Sequence, residues 1–175
     1  MSQVEPLSNL VKIDPIPPES SAEAEKSRFL RFSLGDRTEG LLSLERLVEV
    51  IKVNPQEILP IPEVPEYLLG IANRRGEAVW IVDLPYLMGA NHLSQRKPIP
   101  QVCMAILLQA EEQAIGLLVD RVSSIELHSY DDLQSFSAQT LPPQILTFLE
   151  GYFIDKGGNT LTVLDVDSII AKVEN

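Results

Sequence analysis

Two stretches of this chain carry the same design. Gly40-Leu41-Leu42-Ser43-Leu44-Glu45-Arg46-Leu47-Val48-Glu49-Val50 aligns without a gap on Ile115-Gly116-Leu117-Leu118-Val119-Asp120-Arg121-Val122-Ser123-Ser124-Ile125. A looser echo relates Gly70-Ile71-Ala72-Asn73-Arg74-Arg75-Gly76, leading into Val79 to Leu84, with Gly151-Tyr152-Phe153-Ile154-Asp155-Lys156-Gly157-Gly158, leading into Leu161 to Val166. Two similar apolar units in one short chain predict two small modules packed together, with a groove between them open to a partner. Neither copy carries the residues an enzyme would need, which points to a binding module.

Short strands dominate the pattern. Phe29 to Leu34 ends at a Gly35-Asp36 turn signal, and Thr38 to Leu44 returns as a second strand. Leu47 to Val53 is rich in β-branched residues, with Glu49 and Lys52 expected to face solvent. Pro55, Pro60, Pro62 and Pro65 exclude regular sheet or a long helix from the next connection. Leu69 to Arg74 and Ala78 to Val82 flank Arg75-Gly76-Glu77 as a hairpin, and Asp83 caps a short helical turn containing Pro85 and stopped by Gly89.

After a polar, proline-flanked link over Asn91 to Pro100, the programme repeats: Val102 to Leu108, Ala114 to Val119, Val122 to Leu127, Phe153-Ile154 and Thr160 to Leu164. Thr160 and Thr162 alternate with Leu161 and Val163, the period of a half-buried strand. Pro142-Pro143 opens a helical turn, and Asp165 or Asp167 caps a C-terminal helix carrying Ile169, Ile170 and Val173. The expectation is a mainly β chain with one short terminal helix.

Residues 1 to about 27 differ: they are polar, acidic and proline-bearing, and are expected to stay mobile. The apolar patch Leu7 to Ile13 inside them is compatible with a docking peptide, although its surroundings favour an unstructured leader. The net charge of −11 disfavours nucleic acid and anionic membrane surfaces, both of which need clustered cations. No apolar run approaches the roughly 20 residues needed to span a bilayer, so no membrane insertion is expected. A lone Cys103 forms no internal disulfide and suits a reducing, cytoplasmic setting. A protein partner is the simplest remaining choice.

Catalytic and metal chemistry find no footing. There is no phosphate loop and no dinucleotide fingerprint. His92 and His128 fall in expected loops, and one Cys with two distant His makes a zinc site improbable. Cys103 sits in an apolar run typical of an inert buried thiol. Asp83, Asp120, Asp165 and Asp167 follow apolar strands, where aspartates cap turns and helices. Glu45-Arg46 and Asp120-Arg121 hold matching places in the repeat, which favours a turn or surface ion pair over a single reaction centre. No catalytic residue, cofactor or metal is assigned.

At Gly70-Ile71-Ala72-Asn73-Arg74-Arg75-Gly76-Glu77-Ala78-Val79-Trp80-Ile81-Val82-Asp83-Leu84 the sequence resembles the CheW family of chemotaxis coupling proteins. The resemblance continues through Gly116 to Val122 and into Leu161 to Val166, and so covers residues 28 to about 172. Leu146 to Phe153 is similar to cyanobacterial versions serving phototaxis and type IV pilus motility.

The resemblance implies two intertwined five-stranded SH3-like barrels, the first over about 28–90 and the second over about 100–165, followed by a helix over about 166–174. It implies an adaptor, placed at membrane-associated receptor arrays, that bridges the cytoplasmic tip of a methyl-accepting receptor to the regulatory domain of a CheA-type histidine kinase. By position, Asn73, Arg75 and Gly76 match the family's turn, whose arginine is associated with receptor contact, and Glu49 matches an acidic position with the same association. Two departures stand out. Trp80 replaces a common proline, and Arg74 replaces a common aliphatic residue, making the loop more basic.

Beside this stands a second reading, a small-molecule module using the groove between the barrels, which would need convergent polar groups there. Residue by residue, Arg75 offers either a donor fork at a rigid tip or an ordinary exposed turn arginine. Gly76 answers a need for positive φ, Trp80 reads as a large core residue, and Val48, Val50, Leu117 and Val119 read as core.

Overall fold

The computed structural model describes residues 25–35, 37–111 and 113–175. The expected mobile leader and the Leu7 to Ile13 docking peptide fall on residues 1–24 and lie outside the described residues, as does Asp36 of the expected turn.

Ten strands form among the described residues: β1 Lys26–Ser33, β2 Glu39–Ser43, β3 Leu47–Val53, β4 Leu68–Arg74, β5 Glu77–Asp83, β6 Cys103–Leu108, β7 Ala114–Val119, β8 Arg121–Ser129, β9 Leu149–Ile154 and β10 Thr160–Leu164. Three short helices accompany them: α1 Leu84–Leu87, α2 Pro143–Leu146 and α3 Val166–Glu174. The strands follow the alternation in the sequence. In β10, for instance, Leu161 and Val163 are buried while Thr160 is exposed. Asp83 caps α1 through the Tyr86 N–H, and of the two candidate caps for α3 it is Asp165 that accepts from the Ser168 N–H, at 3.0 Å.

The strands make two five-stranded sheets, ordered β8-β1-β2-β10-β9 and β3-β6-β7-β5-β4. Adding five to each strand number, and counting on from β10 to β1, converts one order into the other. Neither sheet therefore corresponds to one of the two consecutive stretches expected to form a barrel each. β1 and β2 join β8, β9 and β10, while β3, β4 and β5 join β6 and β7. The physical reason lies in the junctions. β2 reaches β3 through only Leu44–Arg46, and β7 reaches β8 across Asp120, so each chain half crosses from one sheet to the other there.

The repeat extends to register. β2 pairs in parallel with β10, Gly40 opposite Thr162, and β7 pairs in parallel with β5, Ile115 opposite Trp80. Both the β4–β5 and β9–β10 ladders slip by one residue at equivalent places, beside Gly70 and Gly151. There the preceding connection folds back, Leu59 bridging Ile71 and Gln134 bridging Tyr152. Glycine is required at both: Gly70 has φ +137° and a Cβ would lie 2.0 Å from the Leu59 carbonyl oxygen, while at Gly151 (φ +156°) it would lie 2.3 Å from that of Gln134.

Between the sheets, Leu30, Phe32 and Leu42 of one meet Val82, Ile106 and Leu117 of the other, and α3 closes the layer with Ile169 and Ile170. Each sheet also wraps its own smaller core, Phe29, Leu41, Phe153 and Leu161 in one and Val79, Ile81, Ala105 and Leu107 in the other. Trp80 is only half buried, packed on the edge of the inter-sheet core.

Two local expectations are corrected. Val48 is 54% exposed and not core, because it is the extra residue of a bulge: Leu47 pairs with Leu108 and Glu49 with Leu107, leaving Val48 unpaired and turned outward. His128 is in β8 and not in a loop. Its ring stacks on Phe153 with centroids 4.5 Å apart, and its Nε2 meets Glu126 at 2.9 Å.

Substituting alanine at Gly70 or Gly151 should lower stability by about 3 kcal/mol or more, since overpacking adds to backbone strain. Gly76→Ala, which meets nothing within 4 Å, should cost only about 1 kcal/mol. Urea unfolding midpoints of the three variants check this; equal losses would show that the Leu59 and Gln134 contacts do not matter.

Candidate functional site

The β4–β5 hairpin turns through two residues. Arg74 pairs with Glu77, leaving Arg75 (φ +51°) and Gly76 (φ +84°) as the whole loop. Positive φ at both central residues is what a type I′ turn needs, and that turn matches the twist of the flanking strands. Glycine supplies one such position at little strain, as expected for Gly76. Asn73 closes the turn from below, its Oδ1 accepting the Gly76 N–H at 2.9 Å. The Arg75 side chain is exposed, and among the described residues no hydrogen bond or ion pair holds it.

Glu49 lies on β3, at the opposite edge of the same sheet. Its carboxylate nevertheless accepts a hydrogen bond from Arg74 Nε, so the sheet curls until its two edges meet beside the hairpin root. Arg74 Nη1 also approaches Glu77 Oε2 at 3.6 Å. Asn73, Arg75, Gly76 and Glu49 are thus gathered on one end of the molecule. Their roles differ from one another, however. Glu49 is committed to Arg74, and its pKa is pulled below the usual carboxylate value chiefly by that hydrogen bond. Arg74, expected to make the loop more basic, is neutralised by Glu49 and Glu77. Arg75, by contrast, is engaged by no hydrogen bond or ion pair among the described residues, and the bulged Val48 beside Glu49 is an exposed apolar neighbour of this end.

Sequence reasoning missed Arg74 as the link and Val48 as surface. Neither has a readable local signal, because both depend on which strand faces β3.

The remaining candidates have structural duties. Asp83 is fully buried, accepts the Leu93 N–H at 2.8 Å and is paired with Arg96, which also reaches Asp120 at 3.2 Å. Arg46 pairs with Asp167, and Arg121 comes within 4.0 Å of Glu39. Cys103 is buried, and that burial raises its pKa, which suppresses the reactive thiolate. Among the described residues no group of three His, Cys, Asp or Glu side chains could hold a metal ion. A cleft of about 630 Å³ has Leu34, Phe136 and Ile145 among its apolar walls, with Arg31, Arg37, Thr38, Glu39, Asn159, Thr160 and Thr162 as polar ones. Arg31 and Glu39 bond each other at 3.0 Å, and Arg31 also binds Glu126 at 2.9 Å, so they offer a ligand few free polar groups.

Comparison with known proteins gives a consistent result. The family model described as a CheW-like domain matches residues 28–174. The chemotaxis protein CheW of Treponema pallidum is 27% identical over 154 residues, 86% of this chain and 85% of that protein. That of Rhizobium meliloti is 30% identical over 120 residues, 66% of this chain and 70% of that protein. Among solved structures, the scaffolding protein TtCheW from Thermoanaerobacter tengcongensis shares the fold, with a TM-score of 0.68 at 24% identity over 83% of this chain and 88% of that one.

The Glu49–Arg74 bond makes a pH-dependent contribution. Because the Glu49 pKa is lowered in the folded state, its stabilisation is present above the ordinary carboxylate range and is lost as pH falls through the lower folded value. The stability gap between the parent protein and Arg74→Leu should therefore be widest near pH 7 and narrow below about pH 4. Thermal unfolding at a series of pH values tests it, and a gap independent of pH would contradict the role of the pair.

Proposed function

This chain belongs to the CheW-like domain family, and from that we propose that it is a non-enzymatic chemosensory adaptor. In this reading it couples the cytoplasmic tips of methyl-accepting receptors to the regulatory domain of a CheA-type histidine kinase, within the cytoplasm at membrane-associated arrays. The observation that carries the proposal is the family match over residues 28–174, essentially the whole described fold. Among the described residues no helix is long and apolar enough to cross a membrane, in keeping with a role beside one. The output is taxis or pilus-based motility, with phototaxis suggested by the resemblance at Leu146 to Phe153.

The receptor surface in this proposal is the end where Asn73, Arg75, Gly76 and Glu49 gather. Asn73 and Gly76 hold the turn, Glu49 holds its root through Arg74, and Arg75 presents a fork of donors to receptor carboxylates or carbonyls. A two-residue turn leaves little backbone freedom to lose on binding, so the backbone that carries the guanidinium is pre-organised. Coupling further requires a separate surface for the kinase, so that both partners are held at once.

Titrations against a receptor cytoplasmic hairpin and a kinase regulatory domain from the same genome, separately and together, test the bridge. The expected result is binding to each and a ternary complex without competition. Arg75→Glu should weaken the receptor at least about tenfold, since buried arginine anchors commonly carry 2 kcal/mol or more. Kinase affinity and the melting temperature should stay unchanged. Mutually exclusive binding, or an unaltered receptor affinity in the variant, would defeat the respective claim.

A further inference from the structure

The two halves of the chain fill one matching position in opposite ways. On β5 it holds Trp80, opposite Ile115, and the indole packs on the edge of the inter-sheet core. On β10 it holds Thr162, opposite Gly40, and there the sheet face opens into the cleft of about 630 Å³. Along β10 this face runs from Leu164, inside the core, to Thr162 and Thr160, which line the cleft. Leu34, at the end of β1, forms an apolar floor, and Met88, Phe136 and Ile145 stand as apolar walls. A threonine therefore borders a hollow where the other copy of the module seats an indole.

The rim of the cleft carries one uncommitted charge. Arg31 and Glu39 hold each other, and Arg31 also serves Glu126 and Asp155. Arg37, in the turn between β1 and β2, is exposed, and among the described residues no hydrogen bond or ion pair holds it. Nor do the side chains of Thr38, Thr160 and Thr162 make a hydrogen bond among the described residues. Thr38 and Thr160 each precede the paired residues Glu39 and Leu161, so both stand at the same end of the parallel ladder.

We propose that this cleft binds a small aromatic monocarboxylic acid. Its ring takes the place that the Trp80 indole fills in the other half, and its carboxylate meets Arg37, with the Thr38 and Thr160 hydroxyls as neutral donors. A guanidinium offers two parallel donors to one carboxylate, and hydroxyls add donors without charge. Phe136 and Met88 supply a ring and a thioether, both favourable neighbours for an aromatic body. A cleft of this size suits a small ligand held by a few polar groups on an apolar lining. The carboxylates of Glu39, Glu126 and Asp155 outnumber the Arg31 guanidinium that they share, which disfavours a ligand with several negative charges and leaves room for one. The site lies in the sheet that does not carry the β4–β5 hairpin, so it stands whether or not Arg75 meets a receptor.

NMR titration of the full chain with indole-3-acetate and its neutral analogue indole-3-acetamide tests this. The acid should shift the signals of Thr38, Ile145, Thr160 and Thr162 saturably, with a dissociation constant of about 1 mM or tighter. The amide should bind at least about tenfold more weakly, and Arg37→Gln should bring the acid down to the amide's level. Thr162→Trp, which copies the other half, should abolish binding of both compounds with the melting temperature kept. If that variant folds poorly, Arg37→Gln on its exposed turn still decides the matter. The proposal is overturned by an absence of saturable shifts up to about 10 mM acid, or by shifts centred away from β10. Equal affinity for acid and amide, acid binding unchanged by Arg37→Gln, or binding that survives in folded Thr162→Trp would overturn it as well.

Discussion

β2 pairs with β10 and β5 pairs with β7, and both pairs are parallel. A parallel pair cannot be closed by a hairpin; its strands must arrive from distant parts of the chain. Here each parallel pair joins the two chain halves in the interior of a sheet, so neither sheet exists until both halves are present. The inter-sheet core then forms as one unit: Leu42 on β2 and Leu117 on β7 sit in the same buried cluster although they belong to different sheets. Everything at the periphery inherits its position from this exchange, including the curl that brings β3 to β4 and the aim of the β4–β5 hairpin.

Electrostatics refines that frame. Asp83 is fully buried at the end of β5, where an unpaired carboxylate would be strongly destabilising. Arg96 supplies the counter-charge and Leu93 a backbone donor, so the connection after α1 is pinned under the sheet. In the other sheet Arg31 plays a comparable part, joining Glu39, Glu126 and Asp155 within 3.7 Å. These cations are committed internally. Against a net charge of −11, an arginine held on a two-residue turn without such a commitment is a distinctive surface feature.

Much of the fold was legible. Short apolar runs marked ten strands, β9 only over Phe153-Ile154 of its Leu149–Ile154 span, the Arg75-Gly76 turn announced its hairpin, and aspartates before short helices announced their caps. The ungapped alignment of Gly40 to Val50 on Ile115 to Ile125 even matched the observed ladders. What stayed hidden was neighbour choice. The same repeat is compatible with two self-contained sheets or with two exchanged ones, because alternation says which face is apolar and nothing about whose strand lies alongside. Val48, Arg74 and His128 were misread for that one reason: a bulge, a cross-edge ion pair and a ring stack all depend on the partner strand.

The repeat also separates structural from functional positions. Where the halves agree, a physical demand explains the agreement: Gly70 and Gly151 admit a folded-back carbonyl, and the Asp83 and Asp165 N–H groups bond the Tyr67 and Phe148 carbonyls at 2.8 Å each. Where they differ, the common fold imposes no choice. The turn after β4 is two residues with an exposed arginine; the matching turn after β9 is the five residues 155–159, held internally by Asp155, which accepts from the Gly157 and Asn159 N–H groups. Glu49 and Arg74 match Ser124 and Asp155, which make no such pair. Val50 and Lys52 match the uncovered Ile125 and Leu127. One copy of the module therefore carries an exposed turn arginine and a cross-edge ion pair at the β3–β4 end, while the other carries exposed apolar side chains on β8. A duplicated fold with divergent edges is the arrangement an adaptor needs, because it offers two chemically different surfaces on one rigid core.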